Sequence, residues 1–133
     1  MKVYLRYLII VLLMLTWEGI SKANPISLEA TGAELKVSYE EPSTNIDGSA
    51  LTDLAKTTIY YDKGAGAVKA IDIAATKETG GGSIVTTFTI PMKENEEADI
   101  AVWATAIDKS GNESDKSNIV EIRLDFLKPA PPD

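Results

Sequence analysis

Most apolar residues in this chain sit at every second position, in short runs. In "ELKVSYE" (Glu34–Glu40), Leu35, Val37 and Tyr39 fall on one face and Lys36, Ser38 and Glu40 on the other. That is the period of a strand with one buried face. "SIVTTFTI" repeats it with Ile84, Thr86, Phe88 and Ile90, and Pro91 stops it. "ISLEA" (Ile26–Ala30) ends at Thr31-Gly32, and the β-rich "KTTIYYD" ends at Lys63-Gly64-Ala65-Gly66, a hairpin turn. "VKAIDIA" predicts a weaker strand, and two further runs, Asp99–Ile107 and Asn118–Asp125, flank a polar turn. Between the runs lie turn-forming residues. "EPSTNIDGSALTDLA" predicts a long loop, and Gly80-Gly81-Gly82 a flexible, mobile break. Seven short strands with turns at roughly 8–12-residue spacing and no helical period predict an antiparallel β-sandwich. There is no internal repeat and no second domain. The tail "LKPAPPD" is Pro-rich and should be extended.

The first residues follow another rule. "MKVYLRYLIIVLLMLTWEGISKA" places Lys2 and Arg6 ahead of the apolar stretch Leu8–Leu15 and ends on Ser21-Lys22-Ala23. This predicts a secretory signal over 1–23, cleaved after Ala23. A membrane span needs about 20 apolar residues, more than this run supplies, and retention as an N-terminal anchor is the alternative. The domain would then be 24–125 and the tail 126–133. Loss of Lys2, Arg6, Lys22 and Glu18 moves the net charge from −7 to −9. An acidic, exported chain is repelled by nucleic acid and by anionic membranes. The sequence has no Cys and no His, which removes disulfides, His- or Cys-based nucleophilic pairs and the usual zinc sites.

"SYEEPSTNIDGSALTDLAKTTIYYD" and "VWATAIDKSGNESDKSNIV" together resemble the fibronectin type III domain, in the form common in bacterial secreted and surface proteins. The resemblance covers Ile26 to Asp125. It implies strands A (Ile26–Ala30), B (Glu34–Glu40) and E (Ile84–Ile90) in one sheet. The other sheet would hold C′ (Val68–Ile73), C (Thr57–Tyr61), F (Asp99–Ile107) and G (Asn118–Asp125). Two positions depart from the family: Tyr39 stands where it usually has Trp on strand B, and Ile100 where it usually has Tyr early in strand F. A buried phenol needs a partner, so Tyr39 is expected near the edge of the core with its hydroxyl on a backbone group.

Strand F breaks the alternation: from Ile100 to Ile107 only Thr105 is polar. If Ile100, Val102, Ala104 and Ala106 point inward, then Ala101, Trp103, Thr105 and Ile107 point outward. The same parity turns Tyr60 outward on C, and Ile119, Glu121 and Arg123 outward on G. Trp103, Tyr60, Ile119 and Ile107, with Arg123 beside them, then form a candidate partner-binding patch. Three other arrangements would remove it. Arg123 or a Lys stem could lie over the indole, Phe126-Leu127 could fold back, or the register could slip by one residue.

The remaining motifs predict turns. "DKSGNESD" (Asp108–Asp115) is acidic, but its Gly is fourth rather than sixth, unlike an EF-hand. Asn112–Ser114 is a glycosylation sequon, expected to be unused. "ENEEAD" (Glu94–Asp99) predicts a solvated loop. Asp47 and Asp53 are the only carboxylate pair that could serve glycoside chemistry, and both sit in a turn-rich loop. The expected function is an exported, non-catalytic binding or scaffolding module of the periplasm or cell surface. It would need no cofactor or metal and would act through a protein partner or self-association. Carbohydrate binding is the alternative and a small hydrolase the third possibility.

Overall fold

The computed structural model describes residues 26–133. The expected export signal and its cleavage point lie outside the described residues. Seven strands follow in order: β1 Ser27–Thr31, β2 Glu34–Glu40, β3 Leu54–Asp62, β4 Ala67–Ala74, β5 Ser83–Thr89, β6 Glu97–Asp108 and β7 Val120–Asp125. They form two antiparallel sheets, β1-β2-β5 and β4-β3-β6-β7, stacked as a sandwich. Every expected strand is present and in its expected sheet. The ends differ by up to three residues, because pairing extends β3 and β6 into segments whose side chains do not alternate.

The core follows from period two. Leu28 and Ala30 on β1, Leu35, Val37 and Tyr39 on β2, Ile59 and Tyr61 on β3, and Ile100, Val102, Ala104 and Ala106 on β6 are buried together. Val120, Ile122 and Leu124 close the layer from β7, while Glu121 and Arg123 between them are exposed.

Tyr39 departs from expectation. It is 4 % exposed, within the core, and its hydroxyl meets the Thr57 hydroxyl on β3 at 2.5 Å. A side chain across the sandwich, the Thr57 hydroxyl, answers the phenol. Thr57 is itself fully buried, so this bond ties one sheet to the other through the apolar layer.

The three glycines at 80–82 are not slack chain. Gly80 has a φ of +64° and is packed so closely that a Cβ there would lie 1.8 Å from the Pro42 carbonyl oxygen. A Cβ on Gly82 would lie 2.0 Å from the Thr76 hydroxyl. The buried Glu41 carboxylate explains the closeness. It accepts from the Thr76 N–H at 2.9 Å, the Gly82 N–H at 3.1 Å and the Thr76 hydroxyl. Gly80 and Gly82 are required by close approach rather than by mobility, and Gly81 by its φ of +76°.

The tail is docked over its first residues. Phe126 packs partly against the core and its N–H donates to the Glu96 carbonyl at 2.9 Å. The Lys128 N–H donates to the Asn95 side chain at 3.2 Å, and its ammonium pairs with Glu94.

Strand direction places the ends. Ser27 pairs with Ser38, so β1 begins beside the end of β2, where the loop 41–53 starts. Asp125 pairs with Glu97, so β7 finishes beside the start of β6. The chain therefore enters at one end of the sandwich and leaves at the other.

Candidate functional site

On the outer face of the four-stranded sheet, β3 and β6 bring Tyr60 directly opposite Trp103. Their rings stack with centroids 5.9 Å apart and planes at 13°. Trp103 points away from the sandwich core, as its parity predicts. It is nevertheless only 5 % exposed. The reason is the segment after β6, which turns back and lies along that face. The Lys116 ammonium sits 4.3 Å from the indole centroid, a cation–π contact. A lysine over the ring, one of the arrangements that would remove the patch, is the one the structure contains. Arg123 does not take that place: its guanidinium bonds Asp99 at 2.9 Å and also pairs with Glu97. Those two carboxylates raise the guanidinium pKa. Ile107 is half-buried and bridges to Glu113, and Ile119 is 48 % exposed. Tyr60 and Trp103 are brought together, but the indole meant to be the centre of the patch is covered.

Serine hydroxyls make this cover possible. The regular ladder between β6 and β7 stops at Val102↔Val120. Beyond it, Ser117 donates its N–H to the Ala104 carbonyl at 2.9 Å, while its hydroxyl accepts from the Ala104 N–H at 2.9 Å. Ser114 does the same for Ala106, at 2.8 and 2.9 Å. Each serine satisfies both backbone groups of one β6 residue, so residues 113–117 can leave strand geometry without orphaning buried amides. Glu113 finishes the cover, with one oxygen accepting from Thr105 at 2.6 Å and from Tyr60 at 3.0 Å. Partial burial, and then this bond, raise the Tyr60 phenol pKa. On the same face Asp72 accepts from Thr58 at 2.7 Å and pairs with Lys56 and Lys69. The Thr58 hydroxyl first, and Lys56 next, hold its carboxyl down at about 2.

The open concavity lies at the chain-entry end, between the loop 41–53 and the turn after β6. It has a volume of about 320 Å³. Pro42, Leu51, Leu54 and Ala106 supply apolar surface, and Asp108 and Asp115 make its wall acidic, while Glu113, also lining it, spends its carboxylate on Tyr60 and Thr105. Ile46, also lining it, is 80 % exposed. Both walls are held by local bonds. Asp47 accepts from the Ser49 N–H at 2.9 Å and hydroxyl at 2.6 Å, and Thr44 bridges to Ala50. Asp108 accepts from the Asn112 N–H and side-chain amide, both at 2.9 Å, and Gly111 turns with a φ of +87°. Asp108–Asp115 is thus a capped turn, and the Asn112 side chain holds the Asp108 carboxyl below its ordinary range. Lys109 ties the two loops together, its N–H donating to the Asp53 carbonyl at 2.9 Å. Asp47 is engaged with Ser49, which also lowers its pKa, rather than with Asp53.

Local pattern does not point to this cleft, because its walls come from loops far apart in the chain. Among the described residues no three carboxylates are placed to hold a metal ion, and no helix is long and apolar enough to cross a membrane. No family model, no curated protein and no solved structure matches the chain.

Proposed function

We infer that the chain is an exported, non-catalytic binding module of the fibronectin type III kind, and that it takes a protein partner in the cleft beside Ile46. The order β1-β2-β5 and β4-β3-β6-β7 supports the family reading, since it matches the sheets the resemblance implies. The observation carrying the function is the cleft: an apolar floor, the acidic residues Asp108 and Asp115 along its wall and an isoleucine 80 % exposed at the tip of a hydrogen-bonded loop. Such a site suits a segment with an apolar body and a cationic head, a lysine or arginine beside an aliphatic residue. Catalysis fits poorly. The carboxyl groups whose acidity the fold shifts, Asp47, Asp72, Glu94, Glu96 and Asp108, all move downward. A general acid needs the opposite. A stacked sugar needs an open ring face, and the indole has none to offer.

A photo-reactive residue at position 46, introduced into the producing cell, tests the site. It should capture a discrete partner, and Asp115→Lys should abolish capture while a probe at Val68 on β4 captures nothing comparable. Equal capture from 46 and 68, or indifference to Asp115→Lys, would discard the cleft as the binding site.

A further inference from the structure

A sandwich of two open sheets has four edge strands, here β1, β5, β4 and β7. Exposed edges invite pairing with other chains, and proteins usually blunt them with charge. Three of these edges are blunted: β1 carries Glu29, β4 carries Lys69 and Asp72, and β7 carries Glu121, Arg123 and Asp125. The fourth is not. β5 reads "SIVTTFT", seven residues with no charge, no Pro and no Gly. That composition favours strand pairing.

The backbone of β5 is set for it. The Glu41 N–H donates to the Gly82 carbonyl, and the Ile90 N–H donates to the Ala33 carbonyl. In an antiparallel ladder bonding alternates, so even-numbered residues from 82 to 90 turn their amides and carbonyls toward β2. Ser83, Val85, Thr87 and Thr89 therefore aim theirs at the open edge. Among the described residues no strand pairs with that edge.

The side chains match those of a second copy. Paired antiparallel about Thr86, β5 sets Val85 against Thr87 of the partner subunit and Ile84 against Phe88 of the partner subunit. Ser83 meets Thr89 of the partner subunit in the same register, so all seven residues find neutral counterparts. Val85 is now 63 % exposed, and Phe88, stacked on Tyr61 at 6.2 Å, is only half-buried. Both would lose water. For a chain of net charge −7, β5 is the edge along which two copies approach with no carboxylate on either pairing strand.

We propose that two copies of this chain pair edge to edge through β5, joining their three-stranded sheets into one sheet of six. The two-fold axis passes at Thr86. The two clefts then open in opposite directions, a geometry suited to bridging two partners. The pairing does not depend on what the clefts bind.

The axis gives a direct test. At Thr86 the partner strands meet as a non-hydrogen-bonded pair, with Cα atoms about 4.5 Å apart, inside the range a disulfide spans. The chain has no cysteine, so Thr86→Cys introduces a single thiol. Under mild oxidation it should form linked dimers about tenfold faster than Glu121→Cys on the charged β7 edge. Sedimentation equilibrium of the wild-type chain should rise from one mass to two by about 1 mM, and Val85→Lys should hold it at one. Val85 is exposed, so folding should survive that change, and circular dichroism checks it. A single mass throughout with no advantage for Thr86→Cys would overturn the proposal. So would a dimer that Val85→Lys leaves intact.

Discussion

Thr57 and Tyr39 show how much one polar pair decides. A phenol in the core is tolerable because a second buried hydroxyl, from the opposite sheet, meets it. Tyr39→Phe orphans a fully buried Thr57 hydroxyl and should cost about 1–3 kcal/mol in urea unfolding. Thr57→Val should cost a similar amount. The double variant should recover much of the loss, because no half-satisfied hydroxyl remains; strict additivity of the two costs would refute the coupling. The residue-scale reading of the sequence reached the need for a partner but not the partner, since inter-sheet neighbours are invisible to a local pattern. The glycines at 80–82 were illegible for a related reason. Missing side chains look the same whether they give the chain freedom or let Glu41 and Pro42 come close.

At the scale of elements, alternation carries most of the architecture. β2 and β7 bury every second residue, and β5 alternates one buried and two half-buried residues with exposed ones, and their sheet membership follows. β6 was legible in direction but not in surroundings. Its outward Trp103 lies under a segment with no apolar period, attached through the hydroxyls of Ser114 and Ser117. Sequence patterns of strands and helices have no signature for a stretch that pairs through side chains. Ser117 is 2 % exposed, so Ser117→Ala should leave the Ala104 amide without its acceptor, destabilise the domain by about 1–3 kcal/mol and loosen the cover of the indole. Trp103 is the single tryptophan after residue 23, so fluorescence of the chain from residue 24 onward reads that change directly. A red shift is expected; an unchanged spectrum with unchanged stability would show that the serine contributes nothing to the cover.

For the molecule as a whole, the same buried phenol sets a limit at high pH. Burial, only partly offset by the hydrogen bond from Thr57, pushes Tyr39 up to about 12. Its unfolded value is about 10. Between these values the folded chain keeps a proton that the unfolded chain has released. Stability should therefore be insensitive to this group below pH 10 and fall above it, by up to about 2–3 kcal/mol at pH 12. Denaturation midpoints across that range should fall for the wild-type chain and fall less for Tyr39→Phe. Parallel declines would assign the loss to other groups.

The opposite placement of the chain's two ends bears on how the domain can be held. Immobilised through Asp133, it leaves the concavity beside Ile46 facing solution. Held by whatever precedes Ile26, it turns that mouth toward its own support, where a bulky visitor is excluded. A biosensor surface and a native attachment could thus give contrary answers about the same pocket, and which end is tethered becomes part of the recognition chemistry.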